Sequence, residues 1–400
     1  MKEYNWKSSV GRFLSAQTIS LFGSSIVQYA IVWYITLSTS SGRMLTFSTL
    51  CGFLPQIVIS LFGGVWIDRY DRKKMVMLSD SVIALSTFLL ALSFLSGRRS
   101  MWLLMAVLII RSAGTGIQTP AVNAIIPQIV PTEQLMKVNG INSTLSSVIM
   151  FISPAVSGAV LSAASLEATL FIDVITAVIG VGITATIYIK PFTKKIQDRN
   201  SCLEEVKNGF MYLKENSFIK RLLVFQLVIL FLISPSAFLT PLMVSRTFGN
   251  EVWRLTASEM TYSLGMITGG LIIASWGGFK KKLNTTILSG AFYGVLMLGL
   301  GAAPVFPIYL ICNTLIGITS PCYNAPITVT LQEKVPSEMQ GRIFSLMQIA
   351  TSCALPAGMV LFGPLSDFVT VQALLLISGT IVLLLITGIY LTNFLHSSSH

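Results

Sequence analysis

The chain has 400 residues, of which 53% are hydrophobic and 11% are charged, whereas soluble proteins carry roughly 25% charged residues. So few charges cannot cover a water-facing surface, so most of the chain must face lipid. The two histidines, His396 and His400, both lie in the C-terminal tail, which excludes a histidine-based catalytic triad and a multi-histidine metal site. We expect neither a metal nor a cofactor.

Apolar runs predict twelve membrane-spanning helices, each near the length of about 20 residues that a bilayer requires. Strands of a membrane barrel would alternate polar and apolar residues, and these runs do not. The shortest predicted connections follow the ninth and eleventh spans, where a miscount arises most easily. The predicted spans are 11–37, 44–67, 75–96, 101–121, 141–163, 168–189, 221–244, 256–276, 284–303, 305–326, 343–366 and 371–394.

The positive charges predict the orientation of these spans. If both termini are cytoplasmic, 21 of the 27 lysines and arginines lie on the cytoplasmic side or at the cytoplasmic ends of spans, 5 lie outside, and Arg111 alone lies deep within a span. Cytoplasmic loops of membrane proteins carry such an excess. The net charge of +11 therefore follows from topology and requires no nucleic-acid partner. We expect a multi-pass protein of the plasma membrane, acting as a monomer within the lipid bilayer.

A polar stripe on the first span predicts the lining of a substrate cavity. Gln17, Ser24 and Gln28 share one face of this helix at the spacing of its turns. Trp33 lies beside the stripe, and Gln226 on the seventh span is expected to face it. Aromatic walls with few charges suit a bulky lipophilic small molecule.

The loop between the second and third spans combines Gly64, Asp68 and a basic cluster of Arg69, Arg72 and Lys73. Glycine allows helices to approach closely, and the aspartate is placed to meet either a helix N-terminus, that of span 11, or a nearby arginine. This pattern resembles the signature of the major facilitator superfamily, in which such contacts latch the cytoplasmic side shut. The alternative is that the cluster only anchors the topology at the anionic leaflet.

Arg111 lies near the middle of the fourth span, where an arginine is costly in lipid and should face the protein interior. It resembles the helix-4 arginine of the drug/proton antiporters, which implies a functional role. The alternative is a structural ion pair with Asp80 or Asp173, the two carboxylates that lie clearly within spans. These three residues are the candidates for intramembrane charge coupling, and coupling to protons is implied by the resemblance.

The fifth span contains Pro154 and Gly158 among small residues. The segment resembles the helix-5 motif of the antiporters, with two of its glycines replaced by serine. A proline frees a backbone carbonyl and allows a kink, and small neighbours allow close helix packing. The alternative is an ordinary proline of a membrane helix.

A polar stretch divides the twelve spans into six plus six. Apolar residues recur in it at helical spacing and predict an amphipathic helix at the membrane surface, which either links the two bundles or regulates them. These residues are Leu203, Val206, Phe210 and Leu213. The predicted domains are an N-terminal bundle (1–189), a cytoplasmic linker (190–220) and a C-terminal bundle (221–400).

The two halves repeat each other at an offset of about 200 residues. Residues 116–124 align with 317–325, and 130–133 align with 335–338. Two six-helix halves in the same orientation imply a pseudo-twofold axis along the membrane normal. Such a chain can rock one half against the other around a central cavity.

The whole chain, about residues 5–395, resembles the bacterial macrolide-efflux group of the drug/proton antiporters. The resemblance is carried by residues 52–55, 68–74, 111–112, 119–121, 269–270, 277–279, 332–334 and 341–346. It implies the major facilitator fold and export of a macrolide-like or other hydrophobic drug in exchange for protons. Export or import of an endogenous solute, such as a siderophore or sugar, is the alternative. A membrane enzyme is disfavoured, because no P-loop, HExxH or GxSxG motif is present. A channel is disfavoured, because it would not need the repeat together with the latch.

Overall fold

The computed structural model describes residues 6–67, 70–189, 211–214 and 216–391, and all regular structure in these ranges is helical. The helices of the first half are α1 (Trp6–Thr39), α2 (Gly42–Ile67), α3 (Arg72–Leu95), α4 (Met101–Ile129), α5 (Leu135–Ala163) and α6 (Leu166–Thr186). Those of the second half are α7 (Ser217–Phe238), α8 (Thr240–Thr247), α9 (Val252–Trp276), α10 (Lys282–Ala302), α11 (Phe306–Lys334), α12 (Ser337–Leu365) and α13 (Val371–Leu391).

Each of the twelve predicted spans coincides with a helix, and the seventh is divided at Leu239 into α7 and α8. Within the described part of the chain, ten helical segments are long and apolar enough to cross a membrane. The other two, α9 and α11, have 25 and 29 residues but a more polar composition. The all-helical membrane fold is thus confirmed, whereas the orientation of the termini stays a prediction.

Short polar side chains begin several of these helices. Asp71 accepts hydrogen bonds from the backbone N–H groups of Lys73 and Lys74 and so caps α3. The same role is taken at α4, α6 and α7 by Ser100, Ser165 and Asn216. The cap gives Asp71 a local structural role at the start of α3.

The chain divides into two compact units. Unit 1 comprises Met1–Ser38 and Phe47–Ile196, and unit 2 comprises Thr39–Thr46 and Gln197–His400. Most of the predicted linker (190–220) lies outside the described residues, including Leu203, Val206 and Phe210. Leu213 is described, and it packs against the hydrophobic core of unit 2.

The repeated sequence has the same packing role in each unit. In unit 1, α3 packs on α4 and α6, and in unit 2, α10 packs on α11 and α13. A Cβ atom on Gly116 would lie 2.8 Å from the carbonyl oxygen of Gln56, and one on Gly317 would lie 2.3 Å from that of Tyr262. Both distances are too short for a side chain, so each glycine lets the second and fourth helices of its unit touch backbone to backbone.

Candidate functional site

Arg111 is at the centre of a buried polar network in unit 1. It is 5% exposed and forms an ion pair with Asp173 of α6, which is fully buried. Its guanidinium also donates to the hydroxyl of Thr87 and, at 3.3 Å, to the carbonyl of Ser24. The hydroxyls of Ser24 and Thr87 donate to Asp173 at 2.9 and 3.1 Å. One ion pair therefore joins α1, α3, α4 and α6, and its partner is Asp173 rather than Asp80.

Asp80 of α3 is the second buried carboxylate of unit 1, with 3% of its surface exposed. Its Oδ1 accepts hydrogen bonds from the Gln118 amide at 2.7 Å and from the Ser20 hydroxyl at 3.3 Å. Its Oδ2 is buried and has no hydrogen-bond partner among the described residues. Asp80 also forms no ion pair with any of them, which sets it apart from Asp173.

A polar crevice of about 190 Å³ opens beside this carboxylate. Its walls are Gln17 of α1, Gln118 and Asn123 of α4, and Asn142 and Ser146 of α5. The Nε2 of Gln118 lies 3.5 Å from the Oε1 of Gln17, and the Nε2 of Gln17 is buried without a partner in the described structure. We call this the unit-1 crevice. Its polar wall is neutral, and its amides have hydrogen-bonding capacity left unused.

Unit 2 contains a matching crevice of about 420 Å³. Gln226 of α7, Asn324 of α11, and Gln348 and Ser352 of α12 form its polar wall. The Nε2 of Gln226 donates to the Oδ1 of Asn324 at 3.3 Å, whereas its Oε1 is buried and unpartnered among the residues described. We call this the unit-2 crevice. Each crevice takes a glutamine from the first helix of its half, an asparagine from the fourth, and an amide and a serine from the fifth.

The charged network of unit 1 has no counterpart at the matching positions of unit 2. Cys312 lies five residues before Gly317, as Arg111 lies five residues before Gly116. Ser378 lies seven residues after the first residue of α13, as Asp173 does after the first residue of α6. Both replacements are uncharged. Unit 2 does carry a half-buried carboxylate within a span, Glu259, but it lies on α9, away from these positions.

Two of the five predicted cavity residues, Gln17 and Gln226, thus line the two crevices. Ser24 belongs to the Arg111 network, and Gln28 has its Nε2 next to the backbone of α2 at Gly52. Trp33 is buried against Tyr29, with ring centroids 5.7 Å apart, and lines neither crevice.

The predicted helix-5 motif lies buried inside unit 1. Pro154 and Gly158 are both buried in α5. Between them, the Ser157 hydroxyl donates to the carbonyl oxygen of Ile26 at 2.9 Å and so joins α5 to α1. Serine in place of glycine therefore adds a hydrogen bond at a helix contact.

The basic cluster after α2 binds helix carbonyls of unit 1. Arg72 donates to the carbonyl of Ala124 at 2.9 Å. Lys73 donates to those of Ala185 and Ile187, at 2.8 and 2.7 Å, at the C-terminal end of α6. A cation there is favoured by the helix dipole, a role that sequence reasoning missed. Of the other predicted latch residues, Gly64 lies in the last turns of α2, and Asp68 and Arg69 are outside the described residues.

A second polar cluster surrounds Asp367, in the turn between α12 and α13. Asp367 accepts hydrogen bonds from the backbone N–H groups of Gly42 and Arg43, at 2.6 and 3.1 Å, and from the Ser41 hydroxyl at 3.0 Å. Arg246 of α8 donates to it at 3.1 Å. The carboxylate therefore caps the first turn of α2 and holds the Thr39–Thr46 segment in unit 2.

These contacts set the protonation of Asp367. Burial alone would raise the pKa of this carboxyl, but the hydrogen bonds from the Gly42 and Arg43 backbones, from Ser41 and from Arg246 outweigh it. The net effect is a pKa below the ordinary value for aspartate. Asp367 is thus a stable anion at neutral pH.

Comparisons with known proteins agree with this architecture. The sequence profile of the Major Facilitator Superfamily matches residues 13–354. Macrolide efflux protein A of Streptococcus pyogenes is 33% identical over 387 residues, which cover 96% of each chain. A protein of the same name from Enterococcus faecalis is 34% identical over 318 residues, covering 78% of this chain and 97% of its own. A crystal structure of a mutant of the nucleoside transporter NupG shares the fold, with a TM-score of 0.71 at 15% identity over 97% of this chain and 99% of that one.

Proposed function

The chain belongs to the Major Facilitator Superfamily of membrane transporters, and we propose that it exports macrolides or related lipophilic drugs in exchange for protons. The observation that carries this proposal is the 33% identity to macrolide efflux protein A over 96% of both chains. The match covers nearly the whole of both chains rather than one motif. Transport proceeds by alternating access of a central cavity, as the duplicated sequence predicts.

The chemistry of the two crevices supports a ligand that is large and uncharged over most of its surface. Both polar walls consist of carboxamides and hydroxyls, flanked by apolar residues such as Leu145 and Phe344. Neutral amides donate and accept hydrogen bonds without imposing a charge on the ligand. A macrolide presents hydroxyl, ester and ether oxygens on a lipophilic ring, which such walls can bind.

Proton exchange is supported by the buried carboxylates. Ionisable groups inside a membrane domain are expensive and commonly mark proton or ion pathways. Unit 1 holds two of them, Asp80 and Asp173, together with Arg111. We assign these three residues to intramembrane charge coupling, with Gln17 and Gln226 as ligand-binding residues.

The experiment that tests the function is a drug panel in a bacterial host that lacks its own efflux pumps. We expect expression of the chain to raise the inhibitory concentration of macrolides severalfold, and a protonophore to restore drug accumulation in energised cells. Macrolide export that persists after the proton gradient is collapsed would refute the antiport. No change for any drug, with saturable transport of a siderophore or sugar, would favour the alternative of an endogenous solute.

The cytoplasmic latch is proposed from the sequence pattern around Asp68. Asp68→Asn removes the negative charge and should slow transport at least tenfold with normal protein levels. The matched control is Asp71→Asn, three residues later, because asparagine also caps helices well and should preserve α3. Equal transport by the two variants would contradict the latch and leave the basic cluster as a topology anchor.

A further inference from the structure

We propose that Asp80 is the residue that carries the exchanged proton, and that Gln118 transmits its protonation state to the unit-1 crevice. The inference rests on the proton exchange proposed above and adds which acid binds the proton and how the ligand senses it. It starts from one contact, the 2.7 Å hydrogen bond between the Gln118 Nε2 and the Asp80 Oδ1.

The two buried carboxylates of unit 1 differ in how fully they are neutralised. Both oxygens of Asp173 are bonded, one to Ser24 and the other to Arg111 and Thr87. A proton added there would break an ion pair and leave a buried arginine unpaired, which is strongly unfavourable. Asp80 has no ion pair among the described residues, and its Oδ2 is buried without a partner. A proton added to that oxygen breaks no contact.

The charged residues around Asp80 leave it without a counterion. Asp80 bonds Ser20 of α1 and Gln118 of α4, and its own helix also packs on α6. The charged residues of α1, Lys7 and Arg12, lie in its first two turns, α4 carries only Arg111, and α6 carries Glu167 and Asp173. Arg111 is bonded to Asp173 and does not pair with Asp80.

The chemical step is a simple proton transfer. One proton from water forms one O–H bond at the Oδ2 of Asp80, and the charge of the side chain changes from −1 to zero. The hydrogen bond from Gln118 is charge-assisted before this step and neutral after it, so it becomes weaker and longer.

Gln118 connects this change to the ligand, because the same side chain lines the unit-1 crevice and lies 3.5 Å from Gln17. The charged Asp80 holds the Gln118 amide in one orientation, with its carbonyl oxygen available to the crevice. When Asp80 is neutral, its weaker hydrogen bond leaves the Gln118 amide free to rotate. A preorganised wall binds a ligand more tightly than a mobile one, so ligand affinity should fall when Asp80 is protonated. By linkage, ligand binding should expel the proton, as exchange requires. Gln118 is thus a positioning residue that acts through Asp80.

The test measures binding of radiolabelled erythromycin to the purified full-length protein between pH 5.5 and 8. We expect the wild-type affinity to rise about fivefold or more across this range beyond the change shown by Asp80→Asn, which mimics the protonated acid. Because erythromycin itself changes protonation over this pH range, the comparison of the wild type with Asp80→Asn removes that contribution from the measured change in affinity. Gln118→Leu should give the same flattened profile although Asp80 is intact. The matched control in the other half is Gln226→Leu, which should weaken binding at every pH and keep the wild-type slope.

Two further measurements separate this inference from the proposed function. In proteoliposomes, Asp80→Asn should lose drug accumulation driven by a pH gradient and keep drug-for-drug exchange. The inference is overturned if Asp80→Asn still accumulates drug under a pH gradient, or if both Asp80→Asn and Gln118→Leu keep the wild-type pH dependence of binding. Either result leaves proton-driven export standing.

If the wild type neither binds nor transports the drug, the proposed function fails. The assignment of Asp80 is then decided without ligand, by whether Asp80→Asn removes a titrating carboxylic-acid C=O band from the infrared spectrum.

Discussion

Unit 1 and unit 2 contain the same crevice in different electrostatic settings. Each crevice has a glutamine from its first helix and an asparagine from its fourth, and Gly116 and Gly317 pack the same pair of helices in each unit. Behind the unit-1 crevice lie Arg111, Asp173 and Asp80, whereas unit 2 has Cys312 and Ser378 at the positions that match the first two. The repeat therefore duplicates packing and neutral recognition but not charge.

In the exchange we propose, proton binding belongs to unit 1 alone, whereas both units offer a neutral wall to the ligand. A neutral crevice has no group that changes charge with pH, whereas a buried carboxyl group can gain or lose a proton as the pH changes. Unit 1 contains both a crevice and the carboxyl group of Asp80. Ligand binding and proton binding can therefore be coupled there over a few ångströms, through Gln118. The predictions that follow test this asymmetry, from the largest expected effect to the smallest.

Arg111→Ala should be the most damaging change. It leaves Asp173 buried and unpaired, and breaking one side of a buried ion pair typically costs about 3–5 kcal/mol. We expect a lower unfolding temperature in detergent and no drug export. The matched change in unit 2, Cys312→Ala, should cost less than about 1 kcal/mol. If Arg111→Ala and Cys312→Ala lower the unfolding temperature and drug export to a similar extent, the proposed asymmetry of charge is wrong.

Gly116→Ala and Gly317→Ala should have similar effects, because packing is what the two units share. Each new methyl group would meet a backbone oxygen at 2.8 or 2.3 Å, and overpacking typically costs about 1–3 kcal/mol. Gly270→Ala is the control, because a Cβ there has open space. Unfolding temperatures measure all three. If the unfolding temperature falls in only one of the Gly116→Ala and Gly317→Ala variants, the repeat has diverged in packing as well as in charge.

Asp367→Asn should remove an acid-sensitive part of the stability of unit 2. The folded pKa of Asp367 lies below its unfolded value of about 3.9. Its carboxylate therefore stabilises the fold above that pH, and the contribution is lost as the pH falls through the lower folded pKa. Hydrogen bonds to a charged group contribute about 1.5–3 kcal/mol. We expect the variant to have a lower unfolding temperature than the wild type at pH 7, and the difference to shrink as the pH falls through the folded pKa.

Gln17→Leu and Gln226→Leu should have the smallest effects, and equal ones at pH 7. Each removes one amide from a neutral wall, which corresponds to about 0.5–1.5 kcal/mol or a two- to tenfold weaker ligand affinity. Their effects should add in the double variant, since the two residues lie in separate units. The apparent KM of drug export measures this. An unchanged KM in either variant would remove that crevice from the ligand site.

Much of the fold could be predicted because lipid imposes a simple rule on it. A span needs about 20 apolar residues in a helix, and the positions of all twelve could be counted directly. The more polar α9 and α11 were found in the same way, because their apolar runs are still long enough to cross the bilayer. The packing role of Gly116 and Gly317 was not predicted, although the repeat aligned the two residues, because the sequence does not show which helix each one touches.

The site was only partly predictable. The interior position of Arg111 followed from the cost of an arginine in lipid, but the choice between Asp80 and Asp173 depended on which helix faces which. Gln118 was not singled out, because an amide gains a role only from the carboxylate behind it. The cap that Asp367 forms on α2 joins residues more than 300 positions apart, and no local pattern signals such a pairing.

The assignment of Thr39–Thr46 to unit 2 limits how the protein can be split into fragments. A C-terminal fragment cut at the central linker would lose eight residues that complete its fold. Asp367 would lose the N–H groups of Gly42 and Arg43, and Arg246 would lose the carbonyl of Ser40. Co-expression with the N-terminal fragment should restore the second fragment, whereas a circularly permuted chain opened between α1 and α2 should unfold first at the new ends. The chain is therefore expected to tolerate a break least well in the turn between α1 and α2, where both sides of the cut belong to contacts of unit 2.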